Sequence, residues 1–432
     1  MVRLAITVQG KRMFDQSFNQ VSISRTLRKS DFLITPRLRN PSIKSQIIAN
    51  ALDRARLGFD GYNFLSSTKV KNKTIYRIKN FSDELILRKI NKNIQRNIKL
   101  PNASRDSIIA NIKNILSEGV SYKIYRLDVK SFYESFLTED VISIISKIQR
   151  LSPTTKKMVK DILNHHTNSG GLGVPRGLAL SATLSEIMML PFDKEVCSQP
   201  GVFFYSRYVD DIIIISSGNE DGAKFIKLIS KLLPKGLQLN EQKTRVRRAS
   251  QDVKPYKQNT PTPDDILTFE FLGYQLTVCE PLKSKEHSQF RDVYLDIAES
   301  KVNKIKTRIT RSMISYCKDR NFNLLETRLK FLSSNFSVLD ADRERKRLAG
   351  IYYNYHRVDL EKSKALPKLD EYIRKATLSG FGIVFDDFFC KTTVAQRRRL
   401  LKLSFGRGFR EKTFMHFSRN NLKLIQECWL YA

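Results

Sequence analysis

Two short apolar runs rich in β-formers, Val202–Ser206 and Ile212–Ser216, flank the segment Arg207-Tyr-Val-Asp-Asp211. That arrangement constrains the fold more than any other stretch of the chain. Branched and aromatic residues on both sides favour paired strands, so the acidic pair falls at the tip of a hairpin. An Asp-Asp pair is ordinarily just a turn, because Asp side chains bond nearby backbone. The pairs Asp264-Asp265 and Asp386-Asp387 lack matched flanking strands and serve as internal controls. A third acid, Asp128, closes another apolar strand, Tyr125-Arg-Leu-Asp-Val. Asp128 and Asp210 lie 82 positions apart, so their carboxylates meet only if these strands are neighbours in one sheet.

Clustered carboxylates at a sheet end suit a hard cation. Mg²⁺ takes carboxylate oxygen together with substrate phosphates, and Mn²⁺ accepts the same ligands. Phosphoryl transfer uses two such ions about 3.5–4 Å apart to activate a hydroxyl and to stabilise the departing pyrophosphate. The charge balance points the same way. Lys and Arg number 76 against 43 Asp and Glu, a net charge of +33, which suits a polyanionic partner. Cys197, Cys279, Cys317, Cys390 and Cys428 form no C-x-x-C pair, so reduced thiols are expected rather than a zinc ribbon or a disulfide framework. Met1 to Gln9 lacks the apolar core of a signal peptide and no apolar run reaches membrane-spanning length. The expectation is a cytoplasmic protein with no membrane partner.

Along the chain, helical spacing is clearest early on over Ile43–Leu57. Thr74–Ile78 and Glu84–Ile90 read as two strands of a hairpin around a turn at Asn80. A helix over Asn102–Leu116, a strand over Tyr122–Val129 and two helices between Asp140 and His166 follow. A glycine-rich loop, Gly170 to Gly177, leads into a helix over Leu178–Leu190. Beyond the acidic hairpin come a helix over 221–233, a strand near Leu237, a polar loop over 249–265 and a strand over Phe269–Val278. After Lys283 four helices are expected, over Phe290–Lys318, Asn323–Ser334, Ala341–Tyr355 and Leu366–Ser379.

At this point a family likeness becomes visible. Tyr208-Val-Asp-Asp211 resembles motif C of reverse transcriptases, and Leu127-Asp-Val-Lys-Ser-Phe-Tyr133 resembles their motif A. Leu172-Gly-Val-Pro-Arg-Gly177 with Ser181 is similar to motif B, and Gly236-Leu-Gln-Leu-Asn-Glu-Gln-Lys-Thr244 to motif D. Phe271-Leu-Gly-Tyr274 is similar to the primer-grip strand, and the motifs stand in family order across roughly residues 74–280. The resemblance implies an α+β right-hand polymerase: fingers, an antiparallel-sheet palm and a helical thumb, with an α-helical C-terminal extension. Its segments would be 1–70 (N-terminal extension), 71–284 (fingers and palm), 285–380 (thumb) and 381–432 (basic extension).

The resemblance also assigns roles. Asp128, Asp210 and Asp211, with the backbone of Val129, would hold two Mg²⁺ ions, and Lys243 would give a proton to the leaving pyrophosphate. Tyr133 would exclude the ribose 2′-hydroxyl. Lys79 and Arg88, with Arg77 and Lys89 as competitors, would meet the incoming triphosphate. Arg176, Gly177 and Ser181 would meet the substrate, glycines 173 and 177 allowing close backbone approach. Arg176 replaces the Gln that many members carry, and Ala182 the Pro, which bears on template handling. Tyr208 and Gly273 would contact nucleic acid. So would a basic thumb helix bearing Lys301, Lys304, Lys306, Arg308 and Arg311. Further on, Arg397, Arg398, Arg399 and Lys402 interleave with Phe405, Phe409 and Phe414, a mixture suited to RNA.

The implied activity is RNA-directed DNA synthesis from deoxynucleoside triphosphates on an RNA template. The motif B departures and compact C-terminus look like the bacterial defence-associated classes, the unknown-group and abortive-infection enzymes. Such an enzyme would act in antiviral defence with a dedicated non-coding RNA, a partner protein or a homo-oligomer. Three alternatives stay open: a retron- or group II intron-type enzyme, untemplated or protein-primed synthesis, and an inactive RNA-binding scaffold.

Overall fold

The computed structural model describes residues 14–70, 73–101, 103–249, 265–283, 289–340, 345–380 and 382–430. In chain order these residues form α1 (Gln20–Ser24), α2 (Lys29–Ile34), α3 (Pro41–Leu57), β1 (Leu65–Val70), β2 (Lys73–Ile78), α4 (Phe81–Asn97) and α5 (Arg105–Leu116). Next come β3 (Tyr122–Asp128), α6 (Thr138–Lys147), α7 (Pro153–Asn168), α8 (Ala179–Cys197), β4 (Val202–Tyr208), β5 (Asp211–Ser216), α9 (Gly222–Leu232) and β6 (Arg245–Ala249). The remainder comprises β7 (Asp265–Phe271), β8 (Tyr274–Lys283), β9 (Gln289–Ile297), α10 (Glu299–Asp319), α11 (Phe322–Ser333), β10 (Asn335–Asp340) and β11 (Arg345–Gly350). It ends with α12 (Ala365–Leu378), α13 (Ile383–Lys391), α14 (Val394–Leu401), α15 (Phe405–Arg410) and α16 (Arg419–Glu427).

The chain divides into two compact units, one of residues 1–103, 125–214 and 220–245, the other of 104–124, 215–219 and 246–432. A four-stranded sheet has strand order β4-β5-β3-β6. It makes neighbours of the Asp128 strand and the strand that starts at Asp211, as the spacing of the acids requires. Ile212, Ile213, Ile214 and Ile215 are all fully buried, each contributing roughly 1.5–3 kcal/mol of transfer free energy, and they anchor the acidic tip in the core. Beneath the tip runs α8, whose Leu180, Leu184, Met189, Phe192 and Val196 are buried. That helix continues past its expected end at Leu190, running through Pro191 to Cys197.

In the second unit, β7, β8 and β9 make a three-stranded antiparallel meander. Its first turn is Leu272-Gly273, both left-handed, with φ of 45° and 82°, as a two-residue hairpin of strand-compatible twist demands. Helices α10 to α16 and the β10–β11 hairpin follow. The hairpin is rooted by Asn335, fully buried, whose amide donates to the carbonyls of Gly408 (3.0 Å) and Thr413 (3.2 Å) and accepts from the Tyr352 N–H (2.8 Å).

Several expected elements are corrected. Glu84–Ile90 is not a strand but part of α4, and Thr74–Ile78 pairs instead with β1, in the β1–β2 hairpin. Asp83 and Glu84 in the first turn favour the helix, and Ile86, Ile90 and Ile94 recur every fourth residue on its buried face. Phe290–Ile297 is β9 rather than helix: Arg291, Val293, Leu295 and Ile297 alternate into the core with period two. Phe269–Val278 is a hairpin and not one strand, and Arg345–Gly350 is β11 rather than helix. Near Leu237 there is an isolated bridge between Val129 and Leu239 in place of a strand. The polar loop over 249–265 lies outside the described residues except at its ends.

Candidate active site

Asp128 ends β3 with 8% of its surface exposed and is held from two directions. The N–H of Asn240 donates to its backbone carbonyl at 2.7 Å. The Asn240 amide donates to Oδ2 at 3.1 Å, and Nζ of Lys243 to Oδ1 at 2.9 Å. Backbone bonds from Lys243 and Thr244 to the Asn240 carbonyl curl the segment tightly enough to bring the lysine round. Gly236 makes this packing possible, since a Cβ there would sit 2.3 Å from the Ser135 carbonyl oxygen. The N–H of Val129 donates to the carbonyl of Asp210 at 3.1 Å. One backbone bond therefore ties the two acidic segments together.

The acidic turn is strained. Val209 adopts a φ of 60°, left-handed backbone that a β-branched residue rarely takes. Below it Arg207, its side chain 4% exposed, donates to both oxygens of Glu186 (2.9 and 2.7 Å) and both of Asp193 (2.9 and 2.8 Å), and to the Val209 carbonyl (3.0 Å). Both acids lie on α8, so a buried ion network carries the turn. Tyr205 joins it with a 2.5 Å bond to Asp193.

Burial and the charges of Asp210 and Asp128 push the Asp211 carboxyl above its usual range, against the pull of Arg126 and Lys243. The bond to Asp128 raises the Lys243 ammonium. Three neighbouring carboxylates, two of which raise the proton affinity of the third, Asp211, with a lysine as partial counterion, are a donor set short of positive charge. Among the described residues no group of three or more His, Cys, Asp or Glu is placed to hold a metal ion by itself.

The remaining predicted site residues divide. Tyr133 is half-buried, edge-on to the buried Phe132 at 5.3 Å, and burial raises its hydroxyl pKa even though the neighbouring Arg176 opposes the shift. Arg176 is not free for a template: its Nε and Nη2 make a two-point bond to Glu134, at 2.7 and 2.8 Å. Glycines 173 and 177 admit the chain's own backbone rather than a nucleotide. A Cβ would lie 2.3 Å from the Tyr133 oxygen at the first and 2.7 Å from the Tyr76 oxygen at the second. Ser181 is buried and donates to the Pro175 carbonyl at 2.7 Å, bracing the loop. Lys79 is exposed at the end of β2, bonded to Asn63 at 2.8 Å. Arg88 is corrected: it sits on α4, paired with Asp31 (2.7 Å) and Glu84 (2.9 Å), and Lys89 is buried against the Asp15 carbonyl. Arg77, on β2, is exposed.

Tyr208 is 42% exposed at the end of β4. Gly273 occupies the β7–β8 turn, where a Cβ would press on Arg105 and Lys301 at 3.2 Å. The thumb-helix expectation is corrected at Arg308, which is drawn in over Trp429 at 5.3 Å. In the C-terminal segment Arg398 and Lys402 are exposed. Arg397 stacks on Phe389 and donates to the carbonyls of Phe389 and Thr392, while Arg399 pairs with Glu326. Phe405 and Phe409 are buried, so of the three rings only Phe414 remains for stacking.

Residues 67–276 match the family model described as "Reverse transcriptase (RNA-dependent DNA polymerase)". They form a reverse transcriptase domain. The chain is 26% identical over 169 residues to the Retron Se72 reverse transcriptase of Salmonella heidelberg (strain 579083-10), covering 37% of this chain and 43% of that protein. It spans less than half the length of that relative. Among solved structures it is similar to apo telomerase from Candida tropicalis truncated from its C-terminal domain, at 16% identity and a TM-score of 0.33, covering 55% and 58% of the two chains. No described helix is long and apolar enough to cross a membrane.

Glu134, Arg207 and Asn240 are the residues that sequence reasoning passed over. Asn240 lay inside the motif D stretch, three places before Lys243, and Arg207 directly preceded the acidic motif. Their partners come from remote segments, which no local pattern reveals.

Proposed function

We propose that the chain is an RNA-directed DNA polymerase whose catalytic acids are Asp128, Asp210 and Asp211. The observation that carries this reading is the convergence on Asp128: motif D grips its carboxylate through Asn240 and Lys243, and the Val129 N–H joins it to Asp210. Asp128, Asp210, Asp211 and the Val129 carbonyl would hold two Mg²⁺ ions, with Mn²⁺ also accepted. Those ions supply activation of the primer hydroxyl and charge neutralisation at the leaving pyrophosphate. The chain's own groups orient and protonate. Arg207 fixes the turn that presents Asp210 and Asp211, Lys243 donates a proton to pyrophosphate, and Tyr133 closes the pocket to a 2′-hydroxyl. Lys79 at the foot of the finger hairpin meets the triphosphate. Arg398, Lys402 and Phe414 contribute to RNA binding.

In this reading the fingers and palm extend through β9, since β9 pairs with β8, and the thumb starts at α10. The biological setting proposed is bacterial antiviral defence in the cytoplasm, with a dedicated non-coding RNA or partner protein. The Arg176 and Ala182 departures and the charge of +33 support it. The likeness to a retron enzyme favours a second reading, in which the chain copies its own structured RNA.

The test is to purify the chain with the nucleic acid that accompanies it, sequence that material, and supply labelled deoxynucleotides and Mg²⁺ beside an Asp210→Ala, Asp211→Ala control. Incorporation lost in the control supports the polymerase. Equal inactivity of both across templates, primers and metals sinks it. A branched RNA–DNA product decides for the retron-like reading.

A further inference from the structure

We propose that Arg176 and Glu134 are positioning residues that clamp Tyr133, so that selection of the nucleotide sugar depends on this ion pair as much as on the ring. The inference rests on the reading of Tyr133 as the sugar gate. A ring excludes a 2′-hydroxyl only if it cannot swing aside, and here it is held on several sides. Its backbone carbonyl accepts the Val174 N–H at 2.9 Å, an approach that only a glycine at 173 permits. Phe132 meets its edge. The Arg176 guanidinium lies over the ring, with Cζ 5.0 Å from the centroid, within the range of a cation–π contact.

Arg176 is itself fixed. Glu134, the very next residue after the ring, binds it through both carboxylate oxygens. This fork-to-fork geometry fixes orientation as well as distance. The carbonyl of Arg176 accepts the N–H of Tyr76 on β2 at 2.7 Å, joining the finger hairpin to the same loop. Burial works against the Glu134 charge, but the bonds and charge of Arg176, together with a backbone bond and the charge of Lys73, hold the carboxyl below its usual range. Face, edge, backbone and following residue are thus all restrained, and the face restraint comes from Arg176, whose guanidinium is itself held by Glu134.

The experiment compares incorporation of a deoxynucleotide and its ribonucleotide, as a ratio of kcat/KM values, in the full chain purified with its accompanying nucleic acid. Variants are Tyr133→Ala, Arg176→Met, Glu134→Gln, the exchanged pair Glu134→Arg with Arg176→Glu, and Tyr133→Ala with Arg176→Met; melting curves confirm that each is folded. The expected losses of discrimination are about 100-fold for Tyr133→Ala and about tenfold for Arg176→Met and for Glu134→Gln. The exchanged pair, which restores the ion pair but leaves no cation at 176 over the ring, stays as low as Arg176→Met, and Arg176→Met adds nothing once Tyr133 is Ala. The clamp is overturned if Arg176→Met leaves the ratio unchanged, or shifts it equally with and without the ring. If Tyr133→Ala itself leaves the ratio unchanged, the gate reading is what fails, and the clamp falls with it.

Discussion

Arg207 donates a hydrogen bond to the carbonyl of Val209, the one residue of the acidic turn with left-handed backbone. Strain of this kind persists only where the surroundings over-determine it, and here the surroundings are Glu186 and Asp193 on α8. Removing one partner of a buried charge network strands the others, at a cost of about 3–5 kcal/mol. Arg207→Met is expected to lower the melting temperature by several degrees and to abolish incorporation. Arg207→Lys keeps the charge but not the fork, so it should restore part of the stability and little of the activity. Calorimetry beside a primer-extension assay checks both; unchanged extension in Arg207→Met would remove the brace from the account.

Cation binding should be visible without turnover. The donor set of Asp128, Asp210 and Asp211 carries mutual repulsion, seen in the raised Asp211 carboxyl, which a divalent ion relieves. A ligand at ten times its dissociation constant adds about 1.4 kcal/mol of stability. Mg²⁺ or Mn²⁺ is therefore expected to raise the melting temperature of the wild type and to leave an Asp210→Asn, Asp211→Asn variant unmoved. An equal rise in both would place the ions elsewhere.

Much of the site could be read from the sequence because its acids sit on local patterns. An apolar run on each side of Asp210-Asp211 specifies a hairpin, and Asp128 at a strand end specifies the neighbouring strand. The supports were not legible for the same reason in reverse. Glu134 and Arg176 are 42 positions apart and Arg207 and Glu186 are 21 apart, so each pairing exists only once the fold has formed. In the fold, the errors came from short windows. Glu84–Ile90 taken alone is rich in β-branched and apolar residues, whereas the full span to Asn97 shows the helical stripe. The β9 strand was hidden by its buried polar member, Arg291, which interrupts the apolar alternation and donates to the Val120 carbonyl at 2.6 Å.

The Arg176–Glu134 pair also fixes a direction of pH dependence. Glu134 has a depressed pKa in the folded chain, so between that value and the unfolded value of 4.5 the unfolded state binds more protons and stability rises with pH. The pair's contribution is complete above the unfolded value and is lost as pH falls through the folded one. For a half-buried pair it amounts to about 1 kcal/mol. Glu134→Gln should melt below the wild type at neutral pH, and the gap should close on acidification. A gap that is constant with pH would mean that the loss is one of packing rather than of charge.

Lys243 carries the most specific mechanistic expectation. It is bonded to Asp128 in the structure, and that bond keeps its ammonium protonated well past neutrality. A proton donor must be charged before the reaction and within reach of the leaving oxygen; the Asp128 bond meets the first condition, and the curled segment from Asn240 brings the lysine to the Asp128 carboxylate. Loss of a general acid lowers the chemical step by roughly 10²–10⁴-fold and leaves substrate binding nearly intact, so Lys243→Met should reduce single-turnover kcat with little change in KM. Lys243→Arg should remain slow despite its charge, because guanidinium gives up a proton too reluctantly. Asn240→Ala leaves the lysine in place but frees one oxygen of Asp128, and it should weaken metal affinity in the melting assay. If Lys243→Met instead raises KM at unchanged kcat, the lysine attracts the triphosphate and the proton comes from water.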